Sequence, residues 1–145
     1  AALLSGVCLA NAGLGAVHGF ASPLGARLPI PHGMACGAVL WQTIRANITA
    51  LTERMPDSPA LPKYAEAGRI LAGLPSTIRD GAARVALVDT LHDMIEALEV
   101  PPLSAFEMTP EHIPVVVADS PGSSMRTNPV ALTDEELTDI LERAL

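Results

Sequence analysis

Apolar residues recur at intervals of three and four along much of this chain. The most regular series consists of Val85, Val88, Leu91, Ile95 and Leu98. Charged residues lie between them, and Pro101 with Pro102 follows. This spacing predicts an amphipathic helix that buries the apolar series and ends before the two prolines.

Helix starts are indicated at two earlier places. Pro31 predicts that His32 lies in the first turn of a helix that continues through Ile44. Pro62 opens a shorter helix, and Gly73 stands at its C-terminal cap.

Two more helices are indicated towards the C-terminus. Thr109 and Pro110 suit the N-cap and the first position of a short helix that runs through Val117. Thr133 and Glu136 match a capping box, which starts a last amphipathic helix. No segment shows a sustained alternation of apolar and polar residues. The pattern therefore predicts an all-α fold, a bundle of about five to seven helices in a single domain over residues 1–145.

Charge is distributed unevenly along the chain. Residues 1–52 carry two basic and no acidic residues (+2), and residues 53–145 carry 7 basic and 16 acidic residues (−9), which gives the net charge of −7. Because no basic patch is present in the sequence, nucleic-acid binding is not expected.

The first 26 residues carry no charge. A membrane span is not expected, because Asn11, His18 and Pro23 interrupt the apolar run, and a signal peptide would need a charged N-terminal region. The chain opens on AALLSGV without a capping residue, so we expect it to be a piece of a longer protein.

Cys8 and Cys36 lie in apolar surroundings and are expected to be buried, reduced thiols in a cytoplasmic protein, with one disulfide as the open alternative.

Candidate chemistry is concentrated in residues 11–40, which hold His18 and His32 among glycines, alanines and aliphatic residues, with Arg27 as the single charge. A neutral imidazole is a common metal ligand, and the positive end of a helix dipole at His32 disfavours the imidazolium. The alternative is that each histidine is simply packed and hydrogen-bonded. Small neighbours are expected to bring the helix backbone close to the metal side chains.

Gly13, Gly15 and Gly19 do not form a dinucleotide-binding fingerprint. Their spacing is G-x-G-x-x-x-G, the preceding residues do not form a β-branched run, and no acidic residue follows before Glu53.

The segments NAGLGAVHGFASPLGA and IPHGMACGAVL, with the TNP motif and capping box near the C-terminus, resemble the iron-containing (group III) alcohol dehydrogenases. The resemblance implies the C-terminal, helical, metal-binding domain of that family, which is similar to the dehydroquinate synthase-like α-domain. It implies that His18 and His32 are the last two of four metal ligands, and that an Asp and a further His lie on an earlier helix outside this chain. Two positions depart from the family pattern, since Ser22 and Ser124 stand where many members have His and Cys.

The resemblance also implies an activity: NAD- or NADP-dependent oxidation of a small alcohol, or reduction of an aldehyde, at an oxygen polarised by a divalent metal, iron rather than zinc. The nicotinamide cofactor would be bound mainly by an N-terminal domain, and the sequence offers no convincing general base. The competing interpretation is a non-catalytic helical module with packed histidines. His92 and His112 are expected at the surface.

Three expectations follow for the structure and the chain in solution. The ring nitrogens of His18 and His32 should come within about 5 Å of each other, because both would bind one ion at about 2.1 Å. The isolated chain should not oxidise alcohols. Leu3, Leu4, Val7 and Leu14 should form an exposed apolar face, which a homodimer would cover.

Overall fold

The computed structural model describes residues 2–145 and the side chains of all of these except Ala2 and Ser5. The α-helices are α1 (Ala2–Ala12), α2 (Ala16–Arg27), α3 (His32–Arg54), α4 (Ala60–Leu71), α5 (Asp80–Ala97), α6 (Ile113–Asp119), α7 (Ser123–Arg126) and α8 (Asp134–Arg143). Two 3₁₀ helices, Leu103–Phe106 and Pro110–His112, lie between α5 and α6. Residues 2–145 contain no strand, so the predicted all-α class is confirmed. Residues 2–145 contain eight α-helices, one more than the upper end of the predicted range, and the additional one, α7, is a single turn.

Two predicted helix starts are present in detail. Pro31 is the N-cap of α3, which makes His32 its first residue. At α8, the Glu136 carboxylate accepts a hydrogen bond from the Thr133 backbone N–H at 2.7 Å, and the Thr133 hydroxyl accepts one from the Glu136 N–H at 3.3 Å. This capping box satisfies N–H groups that have no partner within the helix.

The main core lies between α2, α3, α6 and α8. Its fully buried large side chains include Phe20, Leu24, Val39, Val116 and Ile140. Burial of each such side chain contributes about 1.5–3 kcal/mol relative to an exposed one. This core fixes the positions of α2 and the first half of α3, the two helices that carry His18 and His32.

Helix α5 covers only part of the face that its apolar spacing predicts: Val88, Leu91 and Ile95 are half-buried. Its buried residues are Ala83 and Leu87, whereas Val85 is 60% exposed and Leu98 69% exposed. The cause is the close approach of α4: a Cβ on Gly68 would lie 2.0 Å from the Ala83 carbonyl oxygen, so only glycine fits there. The prediction is wrong at the two ends of the series, Val85 and Leu98, and the contact with α4 instead buries Ala83 and Leu87.

Helix α1 presents apolar side chains to solvent. Leu3, Leu4 and Val7 are exposed, as expected, and Leu14 just beyond the helix is half-buried. No single helix within residues 2–145 has the length and hydrophobicity needed to cross a membrane. Residues 6–12 and 16–27 reach that length and hydrophobicity only together, with a bend of 99° between them.

Candidate metal centre

His18 lies in the first turn of α2, and this turn is capped from the other end of the chain. The N-cap residue, Gly15, has no side chain to offer; instead the Ala16 N–H donates to the Asn128 Oδ1 at 3.1 Å across 112 positions of sequence. Asn128 also exchanges hydrogen bonds with the buried Asn47 of α3 and donates to the Val130 carbonyl. The TNP loop therefore fixes the start of the His18 helix against α3.

The glycines around His18 serve this loop contact. Added Cβ atoms would meet the Thr127 side chain at 2.8 Å from Gly13, the Asn128 Oδ1 at 3.1 Å from Gly15 and the Met125 Cε at 2.7 Å from Gly19. Gly13 also has a φ of +71°, which favours glycine. These three glycines therefore admit side chains of the loop 125–128, a contact that the sequence does not predict.

His32 and Cys36 lie one turn apart on α3, and residues at this spacing share a helix face. The Cys36 Sγ is 3.6 Å from the His32 Nε2. His32 is exposed and Cys36 half-buried, so this face lies at the surface of the domain.

The side chains of His18, His32 and Cys36 converge. The ring centroids of the two histidines are 5.3 Å apart, and one ligand atom from each of the three residues lies within 4.8 Å of the other two. The ring nitrogens of His18 and His32 thus lie within the separation of about 5 Å that the sequence predicts. Within residues 2–145 it is the one group of three His, Cys, Asp or Glu side chains with this geometry. Two imidazoles and a thiol are a donor set that suits a divalent transition metal, so the residues present fit the metal that the resemblance implies.

Cys36 is not among the ligands that the sequence predicts. The signal that could have indicated it is the spacing His32-x-x-x-Cys36 on one helix. The expected burial of both thiols is also wrong, since Cys8 is exposed on α1 and Cys36 is half-buried; both are free cysteines. Partial burial raises the pKa of the Cys36 thiol, because it disfavours the charged thiolate.

A polar cleft of about 250 Å³ adjoins His18. Both positions that depart from the family pattern, Ser22 and Ser124, line this cleft together with Asp119. Arg27, the one charge of residues 11–40, pairs with Asp119 and so joins the end of α2 to this rim. The space beside His18 is therefore lined by serine hydroxyl groups and by the Asp119 carboxylate, which is paired with Arg27.

The other two histidines lie away from this cluster. The side chain of His92 is 46% exposed, and its ring meets the edge of Trp41 with centroids 4.9 Å apart. The Nδ1 of His112 accepts a hydrogen bond from the Thr109 N–H at 3.1 Å, so this imidazole takes the role that Glu136 has at α8. His112 is half-buried as a result.

Fold and site together define a class: an all-helical domain with a group of metal-ligating side chains at its surface. The whole chain, residues 1–145, matches the family described as "Fe-containing alcohol dehydrogenase family, C-terminal", and the chain belongs to this family.

Known proteins with similar sequences are oxidoreductases. The chain is 27% identical over 154 residues to 1-propanol dehydrogenase PduQ of Salmonella typhimurium, covering 100% of this chain and 39% of that protein. It is 30% identical over 99 residues to lactaldehyde reductase of Escherichia coli K12, covering 68% of this chain and 24% of that protein. The fold is similar to a crystal structure of 1,3-propanediol oxidoreductase, with a TM-score of 0.84, 22% identity, and coverage of 99% of this chain and 36% of that one. The chain thus spans less than half the length of these relatives.

Proposed function

We propose that this chain is the metal-binding helical part of an alcohol dehydrogenase or aldehyde reductase, and that His18 and His32 hold the metal. The convergence of two imidazoles from different helices, in a chain of this family, supports the proposal. A bound divalent metal, iron by the family's description, supplies Lewis-acid polarisation of the alcohol or carbonyl oxygen. NAD or NADP would supply the hydride chemistry and would be held mainly by the N-terminal domain that the resemblance implies. A cytoplasmic location is part of the same proposal.

The chain's own residues would position the substrate. Ser22 is exposed in the cleft beside His18, and Ser124 lies on the opposite segment. Their hydroxyls can donate and accept hydrogen bonds to polar groups of a small alcohol or aldehyde, the substrate class named for the relatives. A serine does not take up a proton near neutral pH, so Ser22 would orient the substrate and leave proton transfer to another group.

The competing function, a non-catalytic interaction module, is favoured by the exposed leucines of α1. Leu3 is 82% and Leu4 69% exposed. A homodimer would cover this face and is compatible with either function. Sedimentation across a tenfold concentration range, on the wild type and on Leu3→Ser/Leu4→Ser, tests the homodimer. We expect a dimer that the double substitution dissociates. A wild-type chain that is monomeric throughout would contradict the homodimer.

Activity tests the proposal in the chain joined to the nucleotide-binding domain that the resemblance implies. We expect NAD- or NADP-dependent turnover of small alcohols that His18→Ala removes and His92→Ala leaves unchanged. Metal content after native purification should follow the same order. Equal metal content and turnover in the two variants would contradict the proposal. The 145-residue chain alone is expected to give no turnover.

A further inference from the structure

We propose that Cys36 is a third metal ligand, so that His18, His32 and Cys36 form an N₂S site within this chain. The inference rests on the proposed metal binding by the two histidines and adds a ligand of different chemistry. Its consequence is that the chain can hold a zinc-type ion with its own side chains.

The distance between Cys36 and His32 fits two ligands of one ion. Zinc–sulfur and zinc–nitrogen bonds of about 2.3 and 2.0–2.1 Å at a tetrahedral angle place the two ligand atoms roughly 3.6 Å apart. The observed Sγ to Nε2 distance is 3.6 Å. The third donor, on His18, lies within 4.8 Å of both, and the exposed ring of His32 leaves room for the rotation that would shorten this separation.

Metal binding by Cys36 requires that its thiol lose a proton. The thiol proton of Cys36 passes to the buffer, and the resulting thiolate forms a metal–sulfur bond. Thiolate is a soft ligand that suits zinc, and three protein ligands with one open position are the arrangement of catalytic zinc sites. In the isolated chain, water would fill the open position. In the longer protein, the Asp and the further His that the resemblance implies would join these three ligands, so the ion would have more than four ligands.

A structural explanation of the same contact exists. The Cys36 thiol can donate a hydrogen bond to the unprotonated His32 Nε2, which would give the 3.6 Å separation without any metal. Cobalt(II), the spectroscopic substitute for zinc, separates the two explanations, because a cobalt–thiolate bond gives a charge-transfer band in the near ultraviolet and cobalt bound by nitrogen and oxygen alone does not.

The experiment titrates cobalt(II) into the untagged 145-residue chain and into Cys36→Ser, Cys8→Ser and His32→Ala. Cys8 is the matched control because it is the other free cysteine and is exposed on α1. Circular dichroism checks that each variant retains its helices. We expect one cobalt ion per chain and a charge-transfer band in the wild type and in Cys8→Ser. In Cys36→Ser the band should be lost and the affinity reduced at least about tenfold, the scale of effect for groups that support a ligand.

The outcomes distinguish this inference from the proposed function. Cobalt that binds without the band, and whose binding His32→Ala abolishes, would overturn the role of Cys36 and leave metal binding by the histidines intact. A band that survives in Cys36→Ser would also overturn it. No cobalt binding to the folded wild-type chain would also overturn it but would leave the proposed function standing, because His18 and His32 are only two of the four ligands that the resemblance implies.

Discussion

Two helical pairs of this domain use small residues in opposite ways. In α4 and α5, Gly68 admits the backbone of Ala83, and the two helices pack on each other while Val85 and Leu98 stay exposed. In and just before α2, Gly13, Gly15 and Gly19 admit side chains of the loop 125–128. Helices α2 and α3 lie within the main core and bring His18 and His32 together. The same residue type thus makes a purely structural contact in one pair and sets up a candidate metal site in the other.

The difference shows what marks a site. Polar links occur in both pairs, since Arg69 of α4 pairs with Asp80 of α5 and Asn128 links the first turn of α2 to Asn47 of α3. Within residues 2–145, convergent metal-ligating side chains occur only in the second pair. If this comparison is right, substitutions in α4–α5 should change stability alone, and substitutions in the Asn128 network should change both stability and metal affinity.

The largest effect on stability is expected for Gly68→Ala. The added Cβ would lie 2.0 Å from the Ala83 carbonyl oxygen, so the two helices must move apart, at a cost of about 1–3 kcal/mol or more. Urea unfolding measures the cost, and zinc affinity should not change. Gly81→Ala in α5 is the matched control, because its Cβ meets nothing within 4 Å and alanine favours the helix by about 0.5–1 kcal/mol. A stable Gly68→Ala variant with weakened zinc binding would break the comparison.

A smaller loss of stability, with a functional effect, is expected for Asn128→Ala. The substitution removes the acceptor of the Ala16 N–H and the donor to the buried Asn47 Oδ1, which costs about 1–3 kcal/mol. Zinc affinity should fall on the order of tenfold, because the turn that holds His18 loses its cap. Asn11→Ala, which removes only an exposed contact to the Val7 carbonyl, should change neither quantity. Loss of stability without loss of affinity would show that the network does not position His18.

The smallest effect concerns the attachment of α8 to α3. Burial acts to raise the pKa of Asp139, but hydrogen bonds and charges from Arg45 and Arg143 outweigh it, and the net effect is a lowered pKa. Because the pKa is lower in the folded state than in the unfolded one, at about 3.9, the carboxylate stabilises the fold above that pH and loses this contribution as pH falls through the folded-state pKa. The carboxylate is 42% exposed, so less than about 1 kcal/mol is expected. Acid unfolding of Asp139→Asn should depend less on pH than that of the wild type, with exposed Asp57→Asn as the control; identical profiles would contradict this.

Much of the fold follows from local signals in the sequence. The helix starts at Pro31 and Thr133 depend on residues within one turn, and the structure has both. The burial of Ala83 and Leu87 in α5 could not be predicted, because it follows from the contact between Gly68 and Ala83, which the spacing within α5 does not report.

The candidate site divides in the same way. His18 and His32 stand out in the sequence because few other polar residues surround them. The capping of α2 by Asn128 spans 112 positions and has no local signal. The proximity of Cys36 to His18 depends on how α2 packs against α3, so the i, i+4 pair with His32 acquires its significance only in three dimensions.

The central claim is that His18 and His32 bind one metal ion, and calorimetric titration of zinc into the untagged chain tests it most directly. We expect one site per chain, an unchanged site in His92→Ala, and affinities reduced at least about tenfold in His18→Ala and in His32→Ala. His92 is the matched control because it is a partly exposed histidine in contact with Trp41, away from the cluster. Equal zinc binding by all three variants would contradict the claim.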